Sequence, residues 1–272
     1  MTHAADIPPD APAAAGAPTD EATGSLRGLR GLNLGAAALH AVQAVAVLVL
    51  ANDFALPVTA GYLNGPPGSG LYEQVTLFDS PIGLGVALFL ALSAFFHLLV
   101  ASPWGHPRYL AGLQQHHNYF RWVEYSLSSS VMIVLIAQIT GIADAAALMG
   151  LFAVNATMIL FGWLQERYEQ PGSGRWLPFV FGSMAGAVPW LAILLYVLAP
   201  GSQSEAAPPA FVYGIIVSLF LFFNVFGLNQ ALQYARVGPW RRYAYGERAY
   251  IVLSLVAKSL LAWQVFGGTL AG

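Results

Sequence analysis

The chain contains a single lysine, Lys258, set in the apolar stretch SLVAKSLLAWQ, and an isolated carboxylate, Glu124, in RWVEYSLSSS. An amine in an apolar setting has two uses. It can hold a buried ion pair, or, desolvated, it can attack an aldehyde and form a Schiff base. A protonated imine then needs a carboxylate nearby, and an unpaired buried ammonium would simply lose its proton. Chemistry at Lys258 therefore depends on whether the fold brings Glu124 to it.

The elements that must do so are membrane helices. Of the 272 residues, 57% are hydrophobic and only 9% are charged. A water-soluble domain carries roughly 25% charged residues. The net charge of -2 is too small to suggest nucleic-acid binding, and the absence of cysteine excludes disulfides, thiolate metal sites and thiol nucleophiles. Crossing a bilayer takes about 20 mostly apolar residues. Seven stretches qualify: Gly31 to Ala51, Pro81 to Ala101, Gln114 to Thr140, Ala143 to Gln165, Trp176 to Ala199, Pro208 to Ala235 and Ala244 to Leu270. Span 3 begins with the polar run QQHHNYFRWVEYSLSSS but ends in VMIVLIAQI, which cannot cross alone.

Residues 1 to about 25, rich in Ala, Pro, Asp and Thr, read as a disordered cytoplasmic tail, without the basic start and apolar core of a secretory signal. Residues 26–272 form the membrane domain. The long first loop, 52–80, holds LPVTAGYL and YEQVTLF around a Gly- and Pro-rich turn. Two β-prone runs so joined predict a hairpin, which must sit in or above the headgroups because its edges would go unsatisfied in hydrocarbon. An irregular loop is the alternative.

Arginine sets the orientation. All ten, Arg27, Arg30, Arg108, Arg121, Arg167, Arg175, Arg236, Arg241, Arg242 and Arg248, fall toward one face, while Asp53, Glu73, Asp79, Asp144 and Glu205 mark the other. The positive-inside rule puts the N-terminus in the cytoplasm and the C-terminus outside. Counted from that arginine-rich end, Glu124 and Lys258 both lie roughly 15–20 Å deep. Seven helices, a central lysine on the seventh and a carboxylate on the third at equal depth fit retinal chemistry. A structural salt bridge, or an ion pair in a chromophore-free transporter, uses the same residues.

RWVEYSLSSS on span 3, FFNVFGLNQALQ on span 6 and SLVAKSLLAWQ on span 7 resemble the heliorhodopsins over essentially the whole seven-helix region. The resemblance shares the inverted orientation, whereas ordinary microbial rhodopsins and animal opsins have the N-terminus outside. It implies all-trans retinal on Lys258, Glu124 as counterion, and Ser254, one turn before the lysine, close to the Schiff base. It implies a pocket around the polyene from Tyr125, Ser128, Asn155, Met158, Phe223, Gln230 and Trp263. Trp263, just over one turn beyond Lys258, is the strongest of the aromatic candidates, although each aromatic also fits simple helix packing. It further implies a polar cluster of His40, Gln43 and His97 on the cytoplasmic side; read from residue type alone, each histidine is as well explained as a satisfied core residue. A homodimer that uses the outer hairpin is a further implication.

Light-driven pumps place relay groups four and eleven positions beyond the span 3 carboxylate. Here those positions are Ser128 and Leu135, and VMIVLIAQI offers only Gln138. Leu135 cannot carry a proton, so the outer half reads as dry and transport is disfavoured; a channel or proton transporter stays open. The expected activity is light sensing through a conformational change, with a cytoplasmic signalling partner that would meet the arginines, Glu166 and Glu169. Those arginines fit a purely topological role equally well. No nucleophile–base pair or metal-ligand cluster suggests enzymatic catalysis, and the adjacent His116 and His117 would diverge on a helix.

Overall fold

The computed structural model describes residues 26, 28–199 and 208–270. The expected tail (1–25), Arg27 and Glu205 lie outside the described residues. Among the described residues, seven helices are long and apolar enough to cross a membrane: span 1 Leu29–Leu50, span 2 Ile82–Ala101, span 3 Tyr119–Ile139, span 4 Ala145–Tyr168, span 5 Leu177–Leu198, span 6 Ala210–Tyr234 and span 7 Tyr243–Leu270. Span 7 ends in a π-helical turn, Phe266–Leu270. The chain is a multi-pass membrane protein.

Local chemistry starts several of these helices. Gly28 precedes span 1 at φ 85°, a left-handed conformation that costs glycine little. The Asn118 side chain accepts from the Arg121 amide at 3.2 Å, and Asp144 accepts from Ala147 at 2.9 Å, capping spans 3 and 4. Pro178 sits in the first turn of span 5, where its missing N–H is harmless.

Span 3 departs from expectation. The first residues of its polar run, 114–118, lie outside the span; a separate short helix, Gly105–Gln114, is capped at Gln115, and His116 then takes φ 59°. Glu124 is thereby only the sixth residue of its helix. Lys258 is the sixteenth residue of its own helix, so depth counted from the two helix starts does not match, and the side-chain contact described below, not the residue count, brings the two charges together.

The two β-prone runs pair as an antiparallel two-stranded sheet, β1 Ala55–Leu63 with β2 Tyr72–Pro81, with an irregularity between Val58 and Thr59. This sheet is fastened to the helices. The Thr59 amide donates to Ala143 O at 2.8 Å, and Ile82 N to Phe54 O at 3.1 Å. Beneath it lies an apolar cluster that includes Val47, Phe89, Leu90, Ile133, Leu135 and Ile136. The opposite, arginine-rich end is built differently, with Asn118, Arg121, Glu166 and Glu247 all buried. Large apolar side chains such as Val42, Val49 and Leu191 face outward, as lipid requires. Spans adjacent in sequence pack side by side and span 7 closes on spans 1, 2 and 6, but spans 5 and 6 barely touch.

Candidate functional site

Lys258 and Glu124 meet inside the bundle. Lys258 Nζ donates to Glu124 Oε1 at 2.7 Å and to Ser254 Oγ at 2.8 Å. Ser254 lies four residues earlier, so it occupies the same helix face. Both charged residues are 4% exposed. At that burial each ion would be costly alone, and the pair holds only with good geometry and further hydrogen bonds. One further bond comes from Ser93 on span 2, whose Oγ donates to Glu124 Oε1 at 2.6 Å. The ammonium also lies 4.9 Å from the centroid of the Tyr125 ring, within cation–π range. Sequence reasoning missed Ser93, although it sits one turn before His97 on the face toward span 3.

On the arginine-rich side of this pair, the His40 and His97 rings stack with centroids 5.8 Å apart. His97 Nδ1 lies 2.7 Å from Asn33 Oδ1, while neither His40 nitrogen has a partner among the described residues. Gln43 does not join them. It faces Trp263, whose Nε1 donates to Gln43 Oε1 at 3.1 Å. Trp263 itself is 41% exposed and stands outside the helix interior, contrary to expectation. The reason is helical phase: five residues beyond Lys258 is a rotation of about 140° from it, whereas three or four residues return to the same face. Leu261 and Ala262 are accordingly the buried neighbours.

Beside the pair, between spans 3, 4, 5, 6 and 7, lies a cavity of about 900 Å³. Of the expected pocket residues, Tyr125, Met158, Phe223 and Gln230 line it. Ser128, Asn155 and Trp263 do not. Ser128 is fully buried within the bundle, and Asn155 donates to Ser129 at 2.8 Å and to Ser130 at 3.1 Å, joining spans 3 and 4 instead. Lys258 is one residue away from this wall: Tyr125 touches both the ammonium and the cavity. Walls not foreseen include Trp122, Trp190, Phe226 and Tyr250, together with four glycines, Gly162, Gly182, Gly186 and Gly227. A Cβ on Gly186 would collide with Met158 Sδ, and one on Gly162 would stand 2.6 Å from the Trp122 ring. The spacing of Gly182 and Gly186, one turn apart on span 5, was the available sequence signal. The cavity's aromatic and aliphatic walls suit an elongated apolar molecule, and its volume falls within the usual range for such ligands. The residues present thus fit retinal.

A second buried charge cluster was not anticipated. Arg121, counted by sequence as an orienting surface charge, bridges Glu166 on span 4 and Glu247 on span 7. Its guanidinium also lies 4.0 Å from the Tyr250 ring centroid. Glu166, expected on the partner-facing surface, is buried. The residue types were visible in sequence, but the pairing spans 45 and 126 positions, and Arg121 fits the positive-inside pattern equally well. Among the described residues no group of three or more metal-ligating side chains converges.

The heliorhodopsin family model matches residues 29–270. No curated protein matches the chain. Solved structures share the fold. The transmembrane domain and linker region of Salpingoeca rosetta rhodopsin phosphodiesterase aligns with TM-score 0.61 at 12% identity, covering 91% of this chain and 73% of that one. A thermophilic rhodopsin aligns with TM-score 0.57 at 14% identity, covering 88% and 93%.

Proposed function

The chain belongs to the heliorhodopsin family, and we propose that it is a light-sensing receptor that carries all-trans retinal on Lys258 and signals without pumping ions. The observation that carries this reading is the position of the Lys258–Glu124 pair against the aromatic cavity, with Tyr125 common to both. Retinal, bound as an imine, supplies visible absorption and light-driven isomerisation. The chain's own residues supply the rest. Lys258 holds the ligand and Glu124 balances the positive charge at Nζ. Ser93 and Ser254 orient the carboxylate and the nitrogen. Met158, Phe223 and Gln230 bound the space the ligand fills.

Sensing is favoured over transport by the apolar cluster between the ion pair and the sheet. Leu135 and Ile136 are buried there, and an ion would have no polar partner between them. We place the arginine-rich end, and the N-terminus with it, in the cytoplasm, with the sheet outside the cell. A homodimer and a cytoplasmic signalling partner complete the reading, which assigns no enzymatic activity to the chain.

The test is a visible spectrum of membranes reconstituted with all-trans retinal, before and after hydroxylamine. A visible band that bleaches, and that Lys258→Ala lacks, supports the reading. A colourless wild-type protein overturns it and leaves the ion pair to a chromophore-free transporter. Light-induced pH change abolished by a protonophore, or photocurrent under voltage clamp, would overturn the non-transporting part alone.

A further inference from the structure

The buried cluster around Arg121 holds one guanidinium against two carboxylates. Glu166 is saturated with donors: the Asn118 amide at 2.9 Å and the Trp122 indole on Oε2, and Arg121 and the Tyr243 hydroxyl on Oε1. A proton on Glu166 would have to displace one of them. Glu247 is not saturated. Its Oε1 accepts from Tyr109 at 3.0 Å and from Asn118 Nδ2 at 2.7 Å, but Oε2 accepts from Arg121 alone. The ionised cluster carries a net charge of about -1, which a low-dielectric interior disfavours. Beside Glu247 is a small void of about 30 Å³, lined also by Asn33, His97, Tyr109, Arg121, Glu124 and Tyr250. That is room for about one water molecule.

We propose that Glu247 is a proton-binding site separate from the Lys258–Glu124 pair, and that its charge state governs how firmly the arginine-rich end of the bundle is clamped. With Glu247 ionised, the short helix Gly105–Gln114 is held through Tyr109 and the start of span 3 through Asn118 and Arg121. With a proton on Oε2, Arg121 balances Glu166 one to one, and the bonds to Tyr109 and Asn118 lose their charge assistance. The groups that face Glu247 are Tyr109 from the short helix, Arg121 from span 3, Glu166 from span 4 and Tyr243 and Tyr250 from its own span. His97 and Glu124 face it across the void. The cluster needs no chromophore, so it can be tested in the retinal-free protein.

The experiment is infrared difference spectroscopy of the full chain in lipid vesicles during acid titration, in H2O and D2O. A carboxylic-acid C=O band that grows on acidification, persists in Glu124→Gln and is absent from Glu247→Gln is the expected result. Hydrogen exchange over residues 105–118 should rise with the same midpoint and be raised already at neutral pH in Glu247→Gln. Tyr109→Phe removes one donor from the carboxylate and should move the midpoint up by about one pH unit, which keeps a readout if Glu247→Gln does not fold. A band that survives in Glu247→Gln, or a midpoint unmoved in Tyr109→Phe, overturns the proposal. A protein that shows these bands but stays colourless after all-trans retinal is added would overturn the retinal reading alone.

Discussion

Replacing Glu124 by glutamine removes a negative charge 2.7 Å from Lys258 Nζ while keeping the size of the side chain. At an effective dielectric constant of about 20, two unit charges at that separation attract by roughly 6 kcal/mol. Excitation of a conjugated cation draws positive charge away from its nitrogen end, so the carboxylate stabilises the ground state more than the excited state. Only that difference enters the transition energy, on the order of 2–3 kcal/mol. The retinal-reconstituted Glu124→Gln protein should therefore absorb at longer wavelength, read directly from its spectrum. Ser93→Ala supplies the control. It leaves the carboxylate but removes the hydroxyl donated to Oε1 at 2.6 Å. The carboxylate charge is then less dispersed, and the band should move slightly the other way. A Glu124→Gln band that is unchanged or at shorter wavelength would refute the assignment of Glu124 as counterion.

Three other outcomes follow from particular contacts. Gly162→Ala places a methyl 2.6 Å from the Trp122 ring and should lower thermal stability in bilayer discs by about 1–3 kcal/mol; an unaltered melting curve would mean the ring has room to move. Met158→Ala and Phe223→Ala, both in the cavity wall, should shift the absorption maximum, whereas Trp263→Ala should leave it unchanged because that ring faces Gln43; a large Trp263→Ala shift contradicts the wall described above. His116, in the turn before span 3, is held below its ordinary value of 6.5, first by burial and then by Arg236, with Glu166 acting in the opposite sense. Its unfolded form binds the proton more tightly, so its contribution to stability is present above about 6.5 and is lost as pH falls below that value. Thermal midpoints measured across that window should fall less steeply in His116→Gln.

What sequence could reveal depended on range and phase. Spans were legible because lipid demands a long apolar run whatever the neighbours are. The Lys258–Glu124 pair was legible because both are rare charges of opposite sign within apolar spans. Trp263 was misplaced because proximity along a helix was counted in turns rather than in degrees. Glu166 and Arg121 were misread for a different reason. A charge near a membrane surface looks the same in sequence whether it faces water or a buried partner, and only the fold brings Glu247 to Arg121. The cavity was half legible: the resemblance named Tyr125, Met158, Phe223 and Gln230, while Trp122, Trp190, Phe226 and Tyr250 drew no notice because aromatics on apolar helices also fit ordinary packing.

The sheet fastened across the end of the bundle has a mechanical consequence. Close-packed hydrocarbon has few alternative arrangements of similar energy, so the end beneath β1 and β2 behaves as a stator. On the proposal above, a proton on Glu247 removes the charge assistance from the bonds to Tyr109 and Asn118, so the end around Arg121 would have a second, looser arrangement. A strain introduced midway, at Lys258, meets a stiff spring on one side and a soft one on the other. On that reading displacement would go to the soft side, with the fulcrum beneath the sheet and the free arm among the arginines.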